Sequence, residues 1–141
     1  MLPDDYAPAF EHQTFVHMAD TDAAGVVYFP QQFDIAHRAY EAWLAEHGTP
    51  LGGIVRGGNY GLPVVHAEGD YRTPLFLGDA LTVGAHVDRV GTSSVLLRYV
   101  IRRGGETVGV VRLTHVCVDG ATRKPMPVPD ALPFRAACMS A

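Results

Sequence analysis

The clearest pattern along the chain lies between residues 30 and 47. There Phe33, His37, Tyr40, Leu44 and His47 recur at spacings of four, three, four and three, with Ile35, Ala36, Ala39 and Trp43 beside them. This is the period of a helix with one broad apolar face, and Asp34, Arg38 and Glu41 fall on its opposite, wet face. Pro30 suits the first turn because it has no N–H to lose, and Gly48 can take the left-handed conformation that ends a helix. The rest of the chain reads as strands. Residues 10–18 are rich in Phe, Thr and Val, and residues 64–72, 81–89, 95–102 and 107–118 follow as β-rich stretches. Pro74 with Gly78-Asp79, Gly91 and Gly104-Gly105 punctuate them. A period of two is plain in Val95, Leu97, Tyr99 and Ile101 and again in Val108, Val110, Arg112, Thr114, Val116 and Val118, so the last three strands form a meander.

One long helix beside about five antiparallel strands predicts an α+β architecture in which the sheet buries one face against the helix. Residues 49–63 hold five glycines in fifteen positions and predict a loop. From Arg123 the chain reads Arg-Lys-Pro-Met-Pro-Val-Pro; alternate residues lack an N–H, so this tail is expected to leave the sheet extended. No repeat or low-complexity tract marks a second unit, and one domain over residues 1–141 is expected.

Composition narrows the class of function. The chain has 141 residues, 48% hydrophobic and 18% charged, which is enough for one modest core. Eleven basic residues against fifteen acidic ones give a formal charge of −4 and no cationic field for nucleic acid. All the basic residues except Lys124 are Arg, so a local anion site remains open. Cys117 and Cys138 make neither a disulfide framework nor a metal-ligand spacing. The acids of the N-terminal run do not suit a signal peptide, and the longest apolar stretch, residues 23–29, is far too short to span a bilayer. A soluble cytoplasmic protein is expected, without a membrane partner.

The segment that invites chemistry is Asp20-Thr21-Asp22-Ala23-Ala24-Gly25-Val26-Val27-Tyr28-Phe29-Pro30, with its two acids eight to ten residues before the helix. A helix N-terminus offers unpaired N–H groups and partial positive charge, which can hold an oxyanion formed from a carbonyl. A nearby carboxylate could attack that carbonyl or activate water. Acids also serve in turns and caps, and the spacing alone does not separate these uses. No third ligand falls at a spacing that would confirm a metal site. His37 lies on the apolar side of the helix, as a core histidine bonded to a carbonyl or as a substrate contact. His66 either faces the same pocket or completes a strand interface. His17 and His115 read as strand residues used in packing or at the surface. The glycines at 52, 53, 57 and 58 lack a strand-before, helix-after setting, so nucleotide binding is a poor reading.

The Asp-Thr-Asp-Ala-Ala-Gly-Val-Val-Tyr-Phe run, followed by a helix with His37, Tyr40 and Trp43-Leu44, resembles the acyl-CoA thioesterases of the hotdog fold, in the 4-hydroxybenzoyl-CoA thioesterase branch. The resemblance continues through Leu62-Pro63-Val64-Val65-His66-Ala67, Pro74 with Gly78-Asp79, and Thr114-His115-Val116-Cys117. In these details it is most like the 1,4-dihydroxy-2-naphthoyl-CoA hydrolases. It implies a five-stranded antiparallel sheet wrapped around a central helix, and subunits paired as dimers or tetramers with sites at the interface.

The resemblance also implies roles for particular residues. Asp22 falls on the catalytic carboxylate and the Phe29 N–H on the oxyanion donor, while Asp20 is mainly structural. Gly25 allows close approach of the acyl group, Tyr28 lines its pocket, and His37 and His66 contact the substrate. His37 stands where 4-hydroxybenzoyl-CoA enzymes carry an acid, which counts against that substrate. Thr92 stands where related enzymes often carry a basic residue, leaving Arg89, Ser93, Arg123 and Lys124 as candidates for the coenzyme A phosphates. No cofactor or metal is expected. The alternatives are a broad or short-chain acyl-CoA hydrolase and a non-catalytic protein that binds acyl-CoA or acyl carrier protein.

Overall fold

The computed structural model describes residues 7–140. Five strands form one antiparallel sheet in the order β1-β4-β5-β6-β3. They are β1 (Phe10–Phe15), β3 (Val64–Tyr71), β4 (Ala80–Val90), β5 (Ser94–Arg103) and β6 (Glu106–Val116). The long helix α1 (Gln31–Glu46) lies on one face of it. Its Ile35, Ala36, Ala39, Tyr40, Trp43 and Leu44 are buried, against Leu81, Val83, Ala85, Leu97, Tyr99, Val111 and Leu113 of the sheet. The expected helical face is therefore the core face, except that Phe33 and His37 are only half-buried and His47 is exposed. Gly48 has φ +88°, and the Gly48 and Thr49 N–H groups donate to Ala45 and Leu44, so α1 ends in the glycine cap that the sequence predicts.

Three expectations need correction. The stretch 49–63 is not all loop, because α2 (Leu51–Gly57) packs its half-buried Leu51 and Ile54 on the core and ends at Gly58 with φ +68°. The two-residue strand β2 (Tyr60–Gly61) then pairs with β7 (Val118–Asp119). The tail does not leave the sheet. The residues between its prolines keep their N–H groups, and Met126 and Val128 donate to Cys117 and Thr92 at 2.9 Å each. Buried Val128, Leu132 and Phe134 continue from there into α3 (Phe134–Ser140). The first strand stops at Phe15, since the Val16 N–H turns to the Asp79 carbonyl and a 3-10 turn follows at Met18–Asp20. His17 thus caps that turn and is not in a strand.

Two glycines set how closely α1 approaches β3 and β6. A Cβ on Gly69 would stand 2.6 Å from Gln32 Nε2 and 3.0 Å from Phe33 Cζ, and one on Gly109 would stand 2.9 Å from Gln32 Oε1. Gln32 itself is buried, its amide lying in the slot these two residues leave open. Gly69→Ala is expected to destabilise the protein by about 1–3 kcal/mol through overpacking. Pairing it with Gln32→Ala should recover part of that loss, as urea denaturation of the single and double variants will read.

The edge strand β3 is exposed along nearly its whole length, with Val64 and Val65 among the large exposed apolar residues. Among the described residues, no helix is long and apolar enough to cross a membrane.

Candidate active site

The segment between β1 and α1 folds as a small hairpin. Thr21 pairs with Val27, and the Asp22 N–H donates to Val26 at 2.8 Å. The Gly25 N–H returns to the Asp22 carbonyl, with Gly25 at φ +78°. This is a tight turn followed by a left-handed residue, the geometry of a three-residue hairpin loop. Gly25 is required by its own φ, and nothing lies within 4 Å of where its Cβ would be, so the approach over it is open.

Asp22 stands at the start of this turn, and its two oxygens differ. Oδ1 accepts the Ala24 N–H at 2.8 Å and the Val26 N–H at 3.2 Å, an Asp turn that holds the carboxylate in one orientation. Oδ2 has no partner among the described residues, and the side chain is exposed. One oxygen is thus committed to the fold and the other points to solvent.

The hairpin is tied down on its far side. Its Val27 N–H donates to Leu75 at 2.8 Å, the Leu77 N–H donates to Gly25 at 2.9 Å, and Val26 bridges Phe76. The Tyr71 hydroxyl, at the end of β3, donates to the Val27 carbonyl and accepts the Leu75 N–H. At its base the Tyr28 N–H donates to the Asp20 carbonyl. Asp20 is itself buried, and its carboxylate accepts the His17 N–H and both terminal nitrogens of Arg38. Burial pushes the Asp20 carboxyl up, but the Arg38 guanidinium and the His17 N–H outweigh it and hold the group below its ordinary value. Both Asp20 carboxylate oxygens are thus spent on bonds within the fold.

After the hairpin, the Gln31, Gln32 and Phe33 N–H groups donate to the carbonyls of Tyr28, Phe29 and Pro30. Pro30 has none to give. The Phe29 N–H lies between these bonded groups and has no acceptor among the described residues. It is an open donor at the positive end of a 16-residue helix, two residues beyond the arm of the hairpin that carries Asp22 at its tip. The exposed Tyr28 and Phe29 rings lie edge to face beside it, with centroids 5.5 Å apart.

None of the remaining candidates is in contact with Asp22 among the described residues. His37 is half-exposed on α1, with Nδ1 3.8 Å from Glu41 and its ring 5.1 Å from that of Tyr40. His66 is exposed on β3, with Nε2 2.8 Å from Glu68 Oε1. It stands five residues along the strand from Tyr71, roughly 16 Å from the hairpin. Arg89 and Ser93 flank the turn after β4, whereas the Asp22 hairpin sits beside the start of that 11-residue strand, at its opposite end and at most roughly 35 Å along it. The Ser93 carbonyl accepts the Cys117 N–H, and exposed Arg123 and Lys124 belong to the turn after β7, at that same far end of the sheet. His115 is a packing residue, stacked on Tyr40 with centroids 4.7 Å apart and donating through Nδ1 to Leu62. Burial lowers its pKa and keeps it neutral.

Four contributors escape sequence reasoning. Tyr71 and residues 75–77 carry no motif. Arg38 occupies a polar position of the helix that pattern alone assigns to solvent. Glu68 was legible in principle, since it follows His66 by two and therefore shares its face of the strand.

Comparison with known proteins gives the family and the fold. The family model described as the thioesterase-like superfamily matches residues 16–134. A 1,4-dihydroxy-2-naphthoyl-CoA hydrolase of Thermosynechococcus vestitus is 37% identical over 127 residues, covering 89% of this chain and 87% of that protein. One from a Synechocystis strain is 34% identical over 123 residues, covering 86% and 89%. The crystal structure of a 1,4-dihydroxy-2-naphthoyl-CoA thioesterase from Synechocystis superposes with a TM-score of 0.83 at 33% identity, over 92% of this chain and 95% of that one. A gentisyl-coenzyme A thioesterase structure at 23% identity shares the fold, with a TM-score of 0.78 over 91% and 98% of the two chains. With a sheet wrapped on one long helix and a matched segment that takes in the whole Asp22 hairpin, this chain belongs to the thioesterase-like superfamily and has the hotdog fold.

Proposed function

We propose that this protein hydrolyses the thioester of 1,4-dihydroxy-2-naphthoyl-CoA, with Asp22 as the catalytic carboxylate. The observation that carries the reading is the unequal use of the Asp22 oxygens, which leaves Oδ2 open near a helix start whose Phe29 N–H is unspent. In one route Oδ2 attacks the thioester carbon, the C–S bond breaks, and water then hydrolyses the mixed anhydride. In the other, Asp22 takes a proton from the water that attacks. Both routes place negative charge on the carbonyl oxygen, where the Phe29 N–H and the helix dipole stabilise it. Coenzyme A leaves as the thiol. The open space over Gly25 admits the acyl group, and the exposed Tyr28 ring gives it a wall.

The site needs a second subunit. β3 is an unpaired, exposed edge eight residues long, which suits antiparallel pairing with its own copy about a two-fold axis. Such an axis reverses the sheet, so the end that carries Arg89, Ser93, Arg123 and Lys124 in one subunit comes to the Asp22 end of the other. It likewise brings the β3 edge that carries His66 in one subunit against the β3 edge of the other. Substrate contact by His66 and phosphate contact by the four far-end residues belong to this dimer, which two dimers can double to a tetramer. His37 contacts the acyl ring from α1. Free Cys117 and Cys138 suit a reducing cytoplasm.

Thiol release by the purified protein from dihydroxynaphthoyl-, 4-hydroxybenzoyl-, benzoyl- and short aliphatic CoA tests the reading. A marked preference for the dihydroxynaphthoyl thioester is expected. Equal rates across the panel would indicate a broad hydrolase, and no release from any of them a binding protein.

A further inference from the structure

Resting on the reading of Asp22 as the catalytic carboxylate, we propose that Arg38 is a positioning residue, whose clamp on Asp20 fixes the Asp22 hairpin to α1. Arg38 Nη1 and Nη2 each reach one oxygen of Asp20 at 3.0 Å, the parallel two-bond fork that only a guanidinium can make. Asp20 is 2% exposed and gathers the base of the hairpin from both sides. Its Oδ2 accepts the His17 N–H on the incoming arm, and its carbonyl accepts the Tyr28 N–H on the outgoing arm.

The other anchors of the hairpin run elsewhere. Tyr71, Leu75 and Leu77 tie it to β3 and to the segment after β3. Among the described residues, Arg38 makes the only side-chain hydrogen bonds between residues 20–28 and α1. The reaction needs Oδ2 of Asp22, carried by the hairpin, and the Phe29 N–H, carried by the start of α1, at one fixed separation. The Arg38 fork joins those two bodies two turns into the helix, so it resists the hinge at Phe29 and Pro30. A displacement of about 1 Å between reacting groups can cost on the order of 10²-fold in rate. Arg38 touches neither substrate nor Asp22, and it acts through Asp20.

Two variants test this. Arg38→Lys keeps the charge and loses the fork. The double variant D20N/R38M leaves no buried charge unpaired, which avoids the collapse expected when Arg38 alone is removed. In both, kcat for the best thioester is expected to fall about tenfold to 10²-fold with KM within about twofold of wild type. Amide hydrogen exchange at Asp22, Val27 and Tyr28 should rise about tenfold, while β5 amides stay protected. Unchanged kcat in the folded double variant, or unchanged exchange at those three amides, would overturn the proposal. If the wild-type protein hydrolyses no thioester, the catalytic reading falls by itself, and the exchange measurement alone decides whether Arg38 holds the hairpin.

Discussion

Asn in place of Asp22 is expected to leave the protein folded and to remove nearly all hydrolysis. The Asn side-chain oxygen can take over both bonds now made by Oδ1, to the Ala24 and Val26 N–H groups, and Asn is as well suited to that turn as Asp. The hairpin should keep its shape, so melting temperature and affinity for the thioester should stay close to wild type. What changes is the open atom: an amide NH₂ replaces Oδ2 and can neither attack a carbonyl nor take a proton from water. The loss in kcat is about 10²–10⁴-fold if Asp22 acts as a base, and larger if it is the nucleophile. Steady-state kinetics beside a thermal melt and a binding titration check it. A folded variant that binds and still turns over within about threefold of wild type would place the catalytic group elsewhere.

Replacing the Tyr28–Phe29 amide by an ester, with the 2-hydroxy acid analogue of phenylalanine at position 29, removes a single N–H. That N–H makes no hydrogen bond among the described residues, so the change costs the helix no bond of its own. The Tyr28 carbonyl, which accepts the Gln31 N–H at 2.8 Å, becomes a weaker acceptor, and a small drop in melting temperature should follow. The effect on rate is much larger, about 10²–10³-fold in kcat, the cost of losing one preorganised oxyanion donor. KM should move little, because the donor matters most when charge has developed on the carbonyl oxygen. A kcat loss below about threefold in the folded ester would remove Phe29 from the mechanism.

The sequence shows more of the Asp22 segment than of what holds it. The period of α1 is legible because its apolar residues meet the sheet over four turns, and β4 to β6 are legible because alternate residues face the helix. The helix α2 is hidden by Gly52, Gly53 and Gly57, which weaken helix propensity, while the packing of Leu51 and Ile54 outweighs it. In the tail, the prolines at 125, 127 and 129 suggest departure from the sheet, but the donors of Met126 and Val128 are the ones that bond. Asp22 could be singled out from its motif, yet which of its oxygens is open follows from the turn and not from the motif. Arg38 reads as a solvent-facing residue because its partner Asp20 lies 18 residues upstream, beyond any local pattern. The separation of His66, Arg89 and Lys124 from Asp22 within one chain appears only once the strands are ordered, and it is what makes the exposed β3 edge part of the functional reading.

Single-turnover release of CoA thiol from 1,4-dihydroxy-2-naphthoyl-CoA, with protein in excess over thioester, reads the chemical step at Asp22 with binding saturated. Complete conversion in one fast phase is expected of the wild-type protein, and a rate near the uncatalysed control of the Asp22→Asn variant. Thiol appearing at the control rate with both proteins, or at the same fast rate with both, would contradict catalysis by Asp22.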